Sequence, residues 1–172
     1  MSGLSRSFAQ ESARLLRDTH LPRLTRAADL LPAGDLWWRP HAGVISVGTI
    51  LLHLEGNLRQ WVLSGLGGAE DRRERAAEFA PAREPVVEDL LTRLQGTVEA
   101  SSAVIEEMGE GKLLAGHTIQ GFQTSGLDAV YHVVEHFSWH TGQAVWIAKW
   151  RAGADHGLAF YDEAKINLAR ND

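Results

Sequence analysis

Cysteine is absent from this 172-residue chain. That excludes a disulfide framework, a thiolate nucleophile and a thiolate metal ligand, so a bound metal would have to be held by nitrogen or oxygen. Nowhere do about 18 apolar residues run together, so no spanning helix is expected. The opening residues, MSGLSRSFAQESARLL, also lack the apolar stretch of a signal peptide, and the two absences predict a soluble, cytoplasmic protein. A basic surplus is missing as well: 17 Lys and Arg stand against 22 Asp and Glu, a formal net charge of -5, with no long basic run. Without that electrostatic footprint, neither DNA nor RNA is an expected partner.

What the chain holds in unusual supply is histidine and tryptophan, eight and six residues. Both serve sites and amphipathic contacts better than generic cores. The length suits one domain, 1–172, with enough chain to bury a core unaided. Periodicity predicts helices and almost no strand. Leu4, Phe8, Leu15, Leu16, Leu24 and Leu31 trace a first helix over 4–31. Pro22 inside it predicts a kink or restart near 20–23, because proline lacks a backbone donor and its ring crowds the preceding turn. LWWRPHAG follows as a connector broken by Pro40 and Gly43, with Trp37 and Trp38 as its anchors.

A second helix capped by Ser46 runs to about Leu66, with Ile50, His53, Leu54, Asn57, Leu58 and Trp61 on its inward stripe. GGAEDRRERAAEFAPAREP reads as a charged, solvated loop with a short helical turn. A third helix spans roughly 86–108, and the glycine-marked connector GEGKLLAGHTIQGFQTS leads to a fourth. That helix opens with Ser125 and Asp128, a capping-box-like pair, and runs to about Arg151. In the tail, Phe160 and Tyr161 are placed to dock on the helices. The expected fold is all-α, a four-helix bundle.

The fourth helix carries YHVVEHFSWHTGQA, with His132, His136 and His140 four residues apart. Such residues form one column on a helix face. One turn rises about 5.4 Å, so the outer pair is about 11 Å apart, whereas a Zn–N bond is about 2.0–2.1 Å. Only one neighbouring pair can chelate an ion, either His132 with His136 or His136 with His140. The third ligand must come from another helix, and His53, alone on an apolar stripe, is the donor the pattern offers. A single buried histidine is more often a satisfied core residue; the pairing with a His-x3-His changes that weighting.

The residues EHFSWHTGQ resemble the fourth-helix signature of the DinB/YfiT-like superfamily of metalloenzyme-type proteins, where a His-x3-His is followed by a small residue, Gly and Gln. LWWRPHAGVISVGTILLHLEGNLRQW resembles that family's linker and second helix. The likeness extends through LPRLTRAADLLPAGDLWWRP, AAEFA and GQAVWIAKWRAG, most of the chain. It implies His53, His136 and His140 as metal ligands and leaves His132 outside, to pack or hydrogen-bond a turn away. It further implies an up-down-down-up bundle, a homodimer, and metal-dependent chemistry on a small-molecule substrate, with a low-molecular-weight thiol as cofactor in a transferase or isomerase.

Three protein ligands leave a coordination position open, the pattern of catalytic sites. A divalent ion on three neutral imidazoles keeps its full charge and activates bound water or thiol, or polarises a carbonyl. Zinc or nickel is expected, although imidazole also suits iron and copper. Gln143 and Asn57 lie on the right faces to hydrogen-bond ligand histidines, whereas Glu55 and Glu135 flank the ligands on other faces. Trp61, Trp139, Trp146 and Trp150 suit bundle core or a dimer surface, and Arg39, Arg59, Lys149 and Arg151 suit solvated charge or an anionic substrate. Two readings result: a metal-dependent enzyme of transferase, isomerase or hydrolase type, or a non-catalytic metal-binding or stress-associated bundle. Bis-histidine haem ligation is disfavoured because two of the three ligands share one helix face.

Overall fold

The first apolar stripe folds as α1 (Gly3–Arg14) and α2 (Leu21–Leu30), joined without a break by a π-helical turn over Leu15–His20. Pro22 sits at the opening of α2, where its ring would crowd the carbonyl four residues earlier. The widened turn just upstream absorbs that crowding. The expected disturbance is therefore a π turn rather than a break. The structure, a computed structural model, describes residues 3–32, 34–80 and 84–162.

α3 (Val47–Leu58) begins where Ser46 Oγ accepts the Thr49 N–H, and it continues through a second π turn, Arg59–Ser64. A short α4 (Arg75–Phe79), a long α5 (Val87–Glu106) and a short α6 (Glu110–Leu114) follow. α7 (Gly126–Ala152) starts at Ser125, whose hydroxyl accepts the Asp128 N–H. Ahead of it lies a hairpin of β1 (Gly116–Ile119) and β2 (Phe122–Ser125), antiparallel with Ile119 opposite Phe122. Sequence periodicity reads this stretch only as a connector. Its turn residues Gln120 and Gly121 both take positive φ, 52° and 82°, the backbone that suits a two-residue hairpin.

Four long helical units make the bundle, which is all-α apart from that hairpin. α1 and α2 pack against α5 and α7, and α3 packs against the same two helices from the other side. The core between them is filled by Phe137, Leu16, Leu24, Ile50, Leu54, Leu58, Leu94 and Ile105, all essentially inaccessible. Each such side chain contributes about 1.5–3 kcal/mol by leaving water. Trp37 lies flat on Gly48, where a Cβ would come within 2.8 Å of the indole, so the connector before α3 is pinned to its first turn. In the tail, Tyr161 accepts a hydrogen bond from Arg23 and Phe160 lies under Arg23 and Arg26. Trp61 is buried, whereas Trp139, Trp146 and Trp150 stand in solvent, not in the core. Among the described residues no helix is long and apolar enough to cross a membrane.

Because Ser46 Oγ caps the helix that carries His53, Ser46→Ala should lower the unfolding free energy by about 1 kcal/mol. Urea denaturation should show a lower midpoint at unchanged slope; an unshifted midpoint would mean that another group caps α3.

Candidate metal centre

α7 presents His136 and His140 one turn apart, and α3, packed alongside, brings His53 to face them. One ligand atom from each of the three lies within 4.8 Å of the others. The His53 and His136 Nε2 atoms are 3.1 Å apart, and the ring centroids are separated by 5.0, 5.1 and 4.6 Å for the pairs 53–136, 53–140 and 136–140. His132 stays out of the cluster: its ring packs 4.1 Å from Trp61 and 5.4 Å from His136.

Two tautomers follow from the outer partners. His53 Nδ1 is 2.8 Å from Glu78 Oε2 and 3.2 Å from Arg73 Nη2; the shorter contact, to a carboxylate that only accepts, needs the proton on Nδ1 and leaves Nε2 as the bare nitrogen. Gln143 Oε1 accepts from His140 Nδ1 at 2.7 Å, which likewise leaves that ring's Nε2 bare. His136 Nδ1 is buried with no hydrogen-bond partner among the described residues. Three nitrogens around one tetrahedral ion at about 2.1 Å would be about 3.4 Å apart. The His53–His136 separation of 3.1 Å is close to that value, the third nitrogen lies within 4.8 Å of both, and the donor set is compatible with a divalent cation.

Glu78 is held in turn. Arg73, whose side chain is 3% exposed, donates Nε to Glu78 Oε1 at 2.7 Å and Nη2 to Oε2 at 2.9 Å, with Nη1 on Gln60. The stretch expected to be solvated loop thus contributes a buried ion pair. What lets the carboxylate in is Gly56: a Cβ there would lie 2.0 Å from Glu78 Oε1. Charge periodicity hides this pair; the available signals are the glycine three residues after His53 and the lone acid of AAEFA. Asn57 is buried on α3, but among the described residues it makes no hydrogen bond to a histidine. Glu55 is buried beneath Arg59 and Arg93, and Glu135 is exposed.

Burial, reinforced by the neighbouring histidines and Arg73, pushes His136 down to about 3. Burial and His53 lower His140 against the pull of Gln143 and Glu135, and burial lowers His132. For Glu78, burial would raise the pKa, but hydrogen bonds from His53 and Arg73 and the Arg73 charge outweigh it, so the carboxylate is ionised. These rings are neutral imidazoles at neutral pH, the form that ligates metal.

A family model described as "Protein of unknown function (DUF1572)" matches residues 4–158. The crystal structure of a DinB-like protein, YjoA, from Bacillus subtilis superposes with a TM-score of 0.61 over 84% of this chain and 93% of that one, at 16% identity. At that identity the likeness shows the fold, a DinB-like bundle. A search of curated proteins finds no match.

The depressed histidines set a pH dependence for metal-stripped protein. His136, His140, His132 and the buried His20 all have folded values below 6.5. As pH falls below about 6.5 the unfolded chain takes up protons that the folded chain refuses, so stability is complete above that value and lost beneath it. Urea midpoints should drop between pH 7 and pH 5; a flat or rising profile would contradict the assigned burial.

Proposed function

The chain belongs to the DUF1572 family of DinB-like proteins, and from that premise we propose that it is a divalent-metal protein whose centre, His53, His136 and His140, serves a metal-dependent enzyme. The observation that carries this reading is the convergence of three imidazole nitrogens with two of the outer ring nitrogens already tied to Glu78 and Gln143. Outer partners of this kind fix ring orientation and strengthen the ligand. The ion is zinc or nickel, bound by nitrogen alone. When bound it supplies Lewis acidity toward a carbonyl or a small nucleophile.

The chain's own residues do the rest. Glu78 and Arg73 hold His53 from behind, and Gln143 orients His140. Phe79, 5.2 Å from the His53 ring, and Trp61 with His132 pack around the cluster. In the enzyme reading, His132, packed against His136 and not needed as a ligand, is the titratable group beside the cluster. The substrate is a small molecule, and a low-molecular-weight thiol is the cofactor class to screen first, for transfer or isomerisation. The working unit is a homodimer. The apolar cover from Phe79 supports a second reading, a non-catalytic metal-binding bundle.

Elemental analysis of tag-free protein purified without chelator tests the centre. Near-stoichiometric zinc or nickel should be lost in His53→Ala, His136→Ala and His140→Ala and kept in His132→Ala. No metal in the wild type, and no uptake of added divalent ions, would sink the assignment.

Glu78→Gln keeps the shape but removes the charge that orients His53, and it should weaken metal affinity by roughly 10–100-fold. Gly56→Ala, which displaces the same carboxylate, should move affinity in the same direction. Competition with a chromophoric chelator reads both; unchanged affinity would show that Glu78 supports the fold alone.

A further inference from the structure

The outer face of α7 is apolar and uncovered. Tyr131, Trp139, Trp146 and Trp150 are 67%, 63%, 63% and 55% exposed, although α7 elsewhere packs into the core. Gly142 lies between Trp139 and Trp146, and nothing stands within 4 Å of where its Cβ would be. A cavity of 610 Å³ opens there, walled by Trp139, Gly142, Gln143, Trp146 and, across from them, Gly43 and Ile45.

We infer that this face docks on the same face of a second copy of the chain, with the two α7 helices antiparallel about a two-fold axis at Gly142. The inference rests on the homodimer reading above and specifies its surface and register. At about 100° per residue, Glu135 and Lys149, each seven positions from Gly142, point within about 20° of its direction. In an antiparallel pair every residue before Gly142 lies level with the one equally far after it in the partner. Glu135 then meets the partner's Lys149, at both ends of the contact. Neither forms an ion pair within the chain among the described residues. Large also meets small: Trp146 lies level with the partner's Ser138, and Tyr131 with the partner's Gly153.

The two-fold places Trp146 and the partner's Trp139 on the same side of the contact. The partner's Trp139 therefore enters the cavity beside Gly142, where the missing side chain leaves room. Aromatic side chains bury about 150–250 Å² each, so these four, some three-fifths exposed, offer roughly 500 Å² per protomer. That is most of the about 800 Å² a standard interface covers on each side. A self-complementary patch of this kind is what a two-fold dimer requires. Gln143 joins the cavity wall to His140, so the interface abuts the candidate metal centre.

Sedimentation equilibrium of the metal-loaded full chain tests the register. The wild type should be a dimer and Gly142→Arg a monomer with unchanged helical circular dichroism and metal content. Glu135→Lys or Lys149→Glu alone opposes like charges at two symmetric positions and should weaken the dimer about tenfold. The double variant Glu135→Lys/Lys149→Glu should restore wild-type association. A monomeric wild type at about 100 µM, whether or not it binds lipid vesicles, overturns both the dimer and its surface. A wild-type dimer indifferent to Gly142→Arg overturns this surface and leaves the dimer reading standing. Failure of the double variant to rescue overturns the antiparallel register.

Discussion

The hydrogen bond from His53 Nδ1 to Glu78 is the contact around which this molecule is organised. It fixes the tautomer that aims the His53 lone pair at His136 and His140. A carboxylate placed there has left water, a costly move unless it is paired. Arg73 supplies the pairing through two hydrogen bonds to the same carboxylate, and Gln60 takes one of its remaining protons. Gly56 supplies the space. The loop between α3 and α5 is consequently a fitted part of the site.

The same reasoning explains why the histidines are tolerated in a helical interior. Imidazoles brought together as cations would repel one another, and burial already disfavours protonation of His136 and His140. Buried, each ring still needs its polar nitrogens accounted for. Glu78 and Gln143 satisfy two outer nitrogens, while the inner ones face each other. Packing around the cluster comes from Phe79 on one side and the tilted Trp61–His132 pair on another.

α7 connects this interior to the surface. One of its faces fills the core with Phe137, Ala144 and Ile147, a second carries the clustered histidines, and a third exposes the tryptophans. Gln143 stands where the second and third faces adjoin. A helix used on all sides in this way shows little amphipathic contrast, which is why spacing alone leaves its tryptophans open between core and surface.

The sequence by itself determined the four long helices, their caps at Ser46 and Ser125 and the one-face histidine column on α7, because all of these depend on spacing along a single helix. Choosing His140 over His132 took the resemblance to a family, since two equally spaced pairs are identical in local geometry. Tertiary structure decided what depends on approach between distant segments. Glu78 lies 25 residues from His53, and no periodicity links a short loop helix to a histidine on α3. Gln143 and Asn57 were both candidates by helix position, yet among the described residues Gln143 alone of the two reaches a ring of the histidine cluster, because rotamer and neighbouring helix decide where an amide ends up. Exposure of Trp139, Trp146 and Trp150 was likewise settled only when α7 turned its other faces to the bundle.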